Sequence, residues 1–214
     1  MNQSHRNEYS KPDSFVFMTS AQYAVLQHHL QQFAQLTEAD CQLTRDHWQV
    51  RRMARHELFT FSNSVCRQVG FVLSGIFRVY YVHPATEQEH NLYFIAEHTF
   101  LTSLKSLLTQ TTCPYLIEAL EDAELLVIDH DVLRQLYPQS HGWERFGRLL
   151  AEQYFLANQT RSESLLMQSA EERYVDLLTS QPDLLNRVSL GHIASYLGIK
   201  GPSLSRIRAQ VAQR

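Results

Sequence analysis

Apolar positions along the chain fall into three successive patterns. From Ala21 they recur at helical spacing, at Leu26, Leu30, Phe33 and Leu36, and Thr37 with Asp40 three positions on reads as the start of a second short helix. From about Val50 to Asp129 they fall instead into short or alternating runs, "QVGFVLSG", "IFRVYYV", "HNLYFIA", "YLIEAL" and "ELLVI", which is the pattern of strands. Gly75 divides two of these at a tight turn, and "HPATEQE" loops between the next two. The expectation is sequential antiparallel pairing that closes into a small barrel or roll, with Phe71, Phe77, Tyr81, Tyr93 and Phe94 as core and cross-strand contacts.

The third pattern is helical again. After "DHDVLRQLYP", a short helix stopped by Pro138, residues 143–168 contain no proline and only Gly147, near the start, so they can form one helix of about seven turns. Phe146, Leu150, Gln153, Ala157, Thr160, Ser164 and Met167 recur along it every 3.5 residues on average. The stripe is impure, and it suits either pairing with a symmetry mate or burial within the same chain. "SAEE" then sets Ser169 as N-cap with Glu172 at the third helical position, a capping box that opens a helix through Leu178, and Pro182 closes it.

The last 26 residues carry the most specific pattern. Ser189 suits an N-cap for "LGHIASYL", Gly198 sits where a sharp turn calls for positive φ, and Pro202 fits the first turn of the helix that follows. Ile193, Leu197, Ile199, Leu204 and Ile207 form a small shared core, with Ala194 small where the two helices cross. This is a helix-turn-helix. Its second helix enters the major groove, so Arg206, with a planar fork matched to guanine, is the candidate base contact together with Gly201 and Pro202 at the helix start. Ser189, Lys200, Ser203, Ser205 and Arg208 suit phosphate.

Charge points the same way. All 22 acidic residues lie at or before Asp183, so residues 1–183, with 14 basic side chains, carry −8, while residues 184–214 (Arg187, Lys200, Arg206, Arg208, Arg214) carry +5. A polyanionic partner for the tail alone follows from that asymmetry. An apolar fraction of 44% allows a real core, and no apolar run approaches the roughly 18 residues a membrane helix needs. The start, "MNQSHRNEYSKPDSFVF", lacks the make-up of a secretory signal, and the reading is a cytoplasmic protein with no membrane partner. Cys41, Cys66 and Cys113 are too dispersed for a disulfide framework or a cysteine metal site and read as buried thiols.

"GHIASYLGIKGPSLSRIR" preceded by "SAEERYVDLL" resembles the C-terminal region of the Crp/Fnr family of bacterial transcription regulators, and "FVLSGIFRVYYV" with "IEALEDAELLVIDHDVLRQLY" resembles that family's cyclic-nucleotide-binding-type β-roll. The likeness runs over residues 20–214. It implies an α+β chain: a loose N-terminal arm (1–19), an antiparallel, jelly-roll-like effector roll (20–140), a long central dimerisation helix (141–168), and an all-α helix-turn-helix domain (169–214) with a reduced or absent wing. Implied partners are double-stranded DNA and a second copy of the chain, with RNA polymerase as a further candidate.

The departures matter as much. Where relatives that bind cyclic nucleotides carry Gly-Glu and Arg-Ser or Arg-Thr pairs, this chain has Leu101-Thr102 and Cys113-Pro114. A buried phosphate without a guanidinium is expensive, so cyclic AMP is a poor ligand, and no cofactor is expected beyond an effector of unknown identity. The N-terminal cysteines of iron-sulfur sensors are missing. His28 and His29 are adjacent and point apart, and His83, His90, His98 and His130 are scattered, so no haem or metal ligand set is expected among the 11 histidines. Two other classes stay open: a non-catalytic ligand- or partner-binding roll, and a cupin-like metalloenzyme, which the lack of any His-x-His disfavours.

Overall fold

The computed structural model describes residues 18–213, so the arm up to residue 17 and Arg214 lie outside the described residues. Helix α1 (Ser20–Ala34) starts at Thr19, whose hydroxyl accepts from the Gln22 amide while the Gln22 side chain accepts from the Thr19 amide. Thr37 and Asp40 form the same reciprocal cap on α2 (Glu38–Gln42), as the spacing led us to expect.

Eight strands follow: β1 (Gln49–Met53), β2 (Leu58–Thr60), β3 (Gln68–Ser74), β4 (Phe77–Val82), β5 (Glu89–Ile95), β6 (Phe100–Leu101), β7 (Leu116–Ala119) and β8 (Ala123–Asp129). They form two four-stranded sheets, ordered β1-β8-β3-β6 and β2-β7-β4-β5. Sequential pairing is overturned except at β4–β5, where Phe77 faces Ile95 and Val82 faces Glu89. Gly75, at φ +102°, does make a tight turn, but it passes the chain from one sheet to the other rather than joining a hairpin. The late strands β7 and β8 then insert beside β4 and β3. The result is the jelly-roll-like roll, with Phe71, Phe77, Leu101, Ile117, Leu125 and Leu126 buried in the core it shares with α1 and α5.

After α3 (Leu104–Thr109) and α4 (His130–Leu136), helix α5 (His141–Met167) runs 27 residues. Its start is pinned by α2. Ser140 caps α5 through the Trp143 amide and donates to Asp40 at 2.6 Å, while the Trp143 indole donates to the Asp40 carbonyl at 2.9 Å. The Ser140 hydrogen bond holds the Asp40 carboxyl below its usual range.

Along the expected dimer stripe the residues have two environments. Phe146 and Leu150 are buried in the chain's own core with α1 and the roll. Ala157, Thr160, Ser164 and Met167 line a cleft facing the C-terminal helices, and Gln153 is exposed on the same side of the helix. The outward side carries Phe155, Leu156 and Leu166 at 68, 61 and 83% exposure.

The chain ends in α6 (Ala170–Ser180), opened by the expected Ser169–Glu172 capping box, then α7 (Leu184–Arg187), α8 (Leu190–Tyr196) and α9 (Gly201–Val211). Among the described residues no strand follows β8, in line with a reduced wing.

A Cβ at Gly75 would lie 2.5 Å from that of Ala123, and the φ there disfavours any side chain. Gly75→Ala is expected to cost about 1–3 kcal/mol. Urea unfolding measures it, and an unchanged midpoint would contradict the account.

Candidate nucleic-acid interface

The α8–turn–α9 unit forms as its residues dictate. The Ser189 hydroxyl caps α8 by accepting from the His192 amide at 3.3 Å, which leaves its own proton free to donate. Gly198 adopts φ +70° after α8, and Pro202 stands in the first turn of α9, where its missing N–H costs nothing. Ile193, Ala194, Leu197 and Leu204 are buried together with Tyr174 and Leu177 of α6, and Ile199 and Ile207 pack on them.

The sequence-predicted contacts lie on α8 and α9. Lys200, Gly201 and Pro202 are exposed at the start of α9, Ser205 and Arg206 are exposed further along it and Arg208 in its last turn, Ser203 is half-buried, and Ser189 is exposed at the start of α8. Gly201, Ser205 and Arg208 form one row on the helix, with Pro202 and Arg206 in the next. Among the described residues, Lys200, Arg206 and Arg208 make no ion pair, so the cationic surface is uncompensated.

The opposite side of α8 is docked on the roll, which the sequence did not announce. Ile76 and Leu120, at the turns of the roll, share a core with Ile193, Ala194 and Leu197. The Asn91 amide of β5 donates to Ser195 Oγ at 3.0 Å, and that hydroxyl donates to the Glu89 carbonyl at 2.9 Å. Beneath this lies Arg78, 5% exposed, donating to Glu118 at 2.8 Å, to Glu89 at 2.6 Å, and to His192 Nδ1 at 3.1 Å. Burial works against its charge, but the two carboxylates outweigh that and raise its pKa. Burial likewise opposes ionisation of Glu118, and hydrogen bonds from His56 and Arg78 overcome it, so this carboxyl titrates below its usual range. Arg187 completes the contact by clasping Glu97 at 2.6 Å and Glu121.

The four positions expected to replace cyclic-nucleotide ligands lie in the roll and the segment before β7. Leu101, Thr102 and Cys113 are buried, and Pro114 is exposed. Tyr154 reaches in from α5, accepting from the Thr102 amide at 3.0 Å and donating to the Thr102 carbonyl at 3.2 Å. Thr102 Oγ1 donates to the Gln68 carbonyl, and Ser103 donates to Cys113 Sγ at 3.2 Å. The one cation of residues 101–114, Lys105, is exposed. These groups satisfy one another and offer no buried charge to a phosphate.

The histidines are partly regrouped. His28 and His29 do not point apart, because their ring centroids lie 5.6 Å from one another, and His29 lies 4.7 Å from His98. Among the described residues no group of three or more His, Cys, Asp or Glu is arranged to hold a metal.

Residues 50–140 match the family model of the cyclic nucleotide-binding domain. FixK2 from Bradyrhizobium japonicum superposes with a TM-score of 0.69 at 16% identity, over 78% of this chain and 85% of that one. A CooA mutant from Carboxydothermus hydrogenoformans gives 0.64 at 17%, over 86% and 84%. So does a protein assigned to the Crp/Fnr family of transcriptional regulators from Eubacterium rectale, over 84% and 85%. The chain has the fold of the Crp/Fnr regulators. Among curated proteins no sequence match is found. No helix among the described residues is long and apolar enough to cross a membrane.

Within this Crp/Fnr fold the α8–roll contact depends on a neutral His192. Arg78 Nη1 and Asn91 Nδ2 both face its Nδ1, which must accept. Burial, then Arg78, lower its pKa below the ordinary 6.5; His56 adds to this, while Glu89 and Glu118 oppose it. The docked form therefore takes up the proton at lower pH than the open chain. Its contribution is complete above about pH 6.5 and is lost as pH falls through the depressed value. Glu97, held at about 2 by Arg187, stays charged throughout that fall. Exchange of the Asn91 amide, corrected for intrinsic rate, should quicken between about pH 7.5 and about pH 5.5, and His192→Gln should remove that dependence. Equal protection at both pH values in the natural chain would contradict it.

Proposed function

We propose that the chain is a homodimeric, sequence-specific DNA-binding transcription regulator, not an enzyme, whose roll does not bind cyclic AMP. The observation that carries this is the exposed, acid-free α9, along which Lys200 at the N-cap, Arg206 and Arg208 stand uncompensated on a helix-turn-helix. Arg206 reads base edges, with Gly201 and Pro202 allowing close approach. Ser189, Lys200, Ser203, Ser205 and Arg208 hold phosphate. The reading divides the chain into an effector-type roll (20–140), a dimer helix (141–168) and a DNA-binding unit (169–214).

The dimer forms through the outward face of α5. Phe155, Gln159, Ser162 and Leu166 follow one another at four, three and four residues, with Leu156 beside them, which is the spacing of a two-helix seam. Three large apolar side chains so exposed call for a partner, and a second copy of the same helix supplies a self-complementary one. Leu156→Glu with Leu166→Glu should convert a dimer to a monomer in sedimentation, with the far-ultraviolet circular dichroism unchanged; a persisting dimer refutes this seam.

Selection of bound sequences from a random duplex pool tests the function. An enriched palindrome with half-sites about one helical turn apart is expected. Arg206→Ala should lower specific binding by about 1–3 kcal/mol and flatten the preference, whereas Lys200→Ala should weaken all sequences alike and reduce the salt slope by about one. Equal losses on specific and random DNA for Arg206→Ala would remove the base-reading role.

A further inference from the structure

A cleft of about 550 Å³ lies where the roll, α5, α6 and α8 meet, within the size range of small-molecule sites. Its walls include Tyr93 of β5, Ala157 and Met167 of α5, Leu177 of α6 and Tyr196 of α8. Polar side chains such as Thr160, Ser164 and Gln181 also line it, and into this space α5 brings Arg161, whose guanidinium lies 4.0 Å over the Tyr196 ring. One Arg161 nitrogen donates to the Tyr196 carbonyl, but the Nε–H is buried without an acceptor. Among the described residues no carboxylate pairs with it. Glu163 and Asp176, which also line the cleft, are exposed and engaged by Gln159 and Gln168. A desolvated guanidinium without a counter-ion is costly to keep, and its planar fork matches carboxylate or phosphate oxygens.

We propose that this cleft is a binding site for a small organic anion, a carboxylate or phosphate monoester on an apolar body, with Arg161 as the anion ligand. The proposal rests on the reading of the chain as a regulator, and it supplies the effector position that the filled roll does not. Binding there acts directly on the DNA-reading unit. Arg161 donates to the carbonyl of Tyr196 and Arg173 to that of Leu197 at 2.8 Å, so two guanidiniums hold the C-terminal end of α8 immediately before the turn into α9. An anion that draws Arg161 toward itself changes one of those two holds.

Benzoate and phenyl phosphate are the probes, with benzyl alcohol as the uncharged control, and the nitrogen-15 shift of the Arg161 Nε–H in the full chain is the readout. Saturable shifts with one or both anions, and none with the alcohol, are expected. Which anion binds tells carboxylate from phosphoryl recognition. Arg161→Gln should weaken binding at least about tenfold by calorimetry. Ala157→Trp, which fills the cleft and keeps the guanidinium, should do the same. No shift with either anion up to about 10 mM, or both variants binding like the natural chain, overturns the site. Duplex selection with and without added anion separates the two readings: DNA binding without anion binding removes the cleft proposal alone, and anion binding with no DNA binding in either condition keeps the site and removes the regulator.

Discussion

A guanidinium buried between protein layers must keep its carboxylates beside it, and Arg78 imposes that demand on four elements at once. It stands on β4, takes Glu118 from β7 and Glu89 from β5, and turns its remaining hydrogens to His192 of α8. The pair is nearly dry, at 6 and 7% side-chain exposure, so removing one partner strands the other's charge at a typical cost of about 3–5 kcal/mol. Such a pair adds little net stability over an apolar one of the same shape. What it supplies is position, since an ion pair in low dielectric tolerates one geometry where an apolar contact tolerates several. The helix-turn-helix is seated by that geometry, and the shared core around Ile76 and Leu120 fills in behind it.

The long helix is the second constraint, because each stretch of α5 answers to a different neighbour. Trp143, Phe146 and Leu150 belong to the core of the roll, Tyr154 reaches over β6 into its interior, and Arg161 and Ser164 touch α8 and α6. Phe155, Leu156, Leu166 and Met167 are large apolar side chains that the helix leaves exposed. A rigid rod in contact with every layer carries a displacement at one end to the other, whereas three separate short helices would absorb it in their loops.

Local signals in the sequence were read well because their chemistry is local. The capping pairs Thr37–Asp40 and Ser169–Glu172, the tight turn at Gly75, the positive φ at Gly198, and the shared core of α8 and α9 all depend on residues a few positions apart. What stayed hidden is nonlocal. Strand pairing between β3 and β8 joins residues some fifty positions apart, and nothing in the alternation of either strand names its partner. Gly75 was correctly a turn, yet a turn residue does not say whether the strands it separates will share a sheet. The α5 stripe mixes buried Phe146 and Leu150 with exposed Ala157 and Thr160 for a related reason, since periodicity cannot tell an apolar face that meets its own chain from one that meets another. His29 and His98 meet only because α1 crosses the β5–β6 turn, a contact without sequence spacing.

The two constraints together bear on how a dimer could present its reading helices. In the docked arrangement the side of α8 carrying His192 and Ser195 is committed to β5, while α9 remains open. In a two-fold dimer built on the Phe155–Leu166 face, the separation of the two α9 helices is then fixed by two attachments only: where the α5 rods cross, and where α8 sits on its roll. A half-site spacing of about 34 Å tolerates little error, because a shift of one base pair also rotates the groove by about a tenth of a turn. Either attachment alone is enough to spoil the match. Under the proposed function, control over DNA binding needs no change in the chemistry of α9, only a small movement of α8 against β5 or of one α5 against the other.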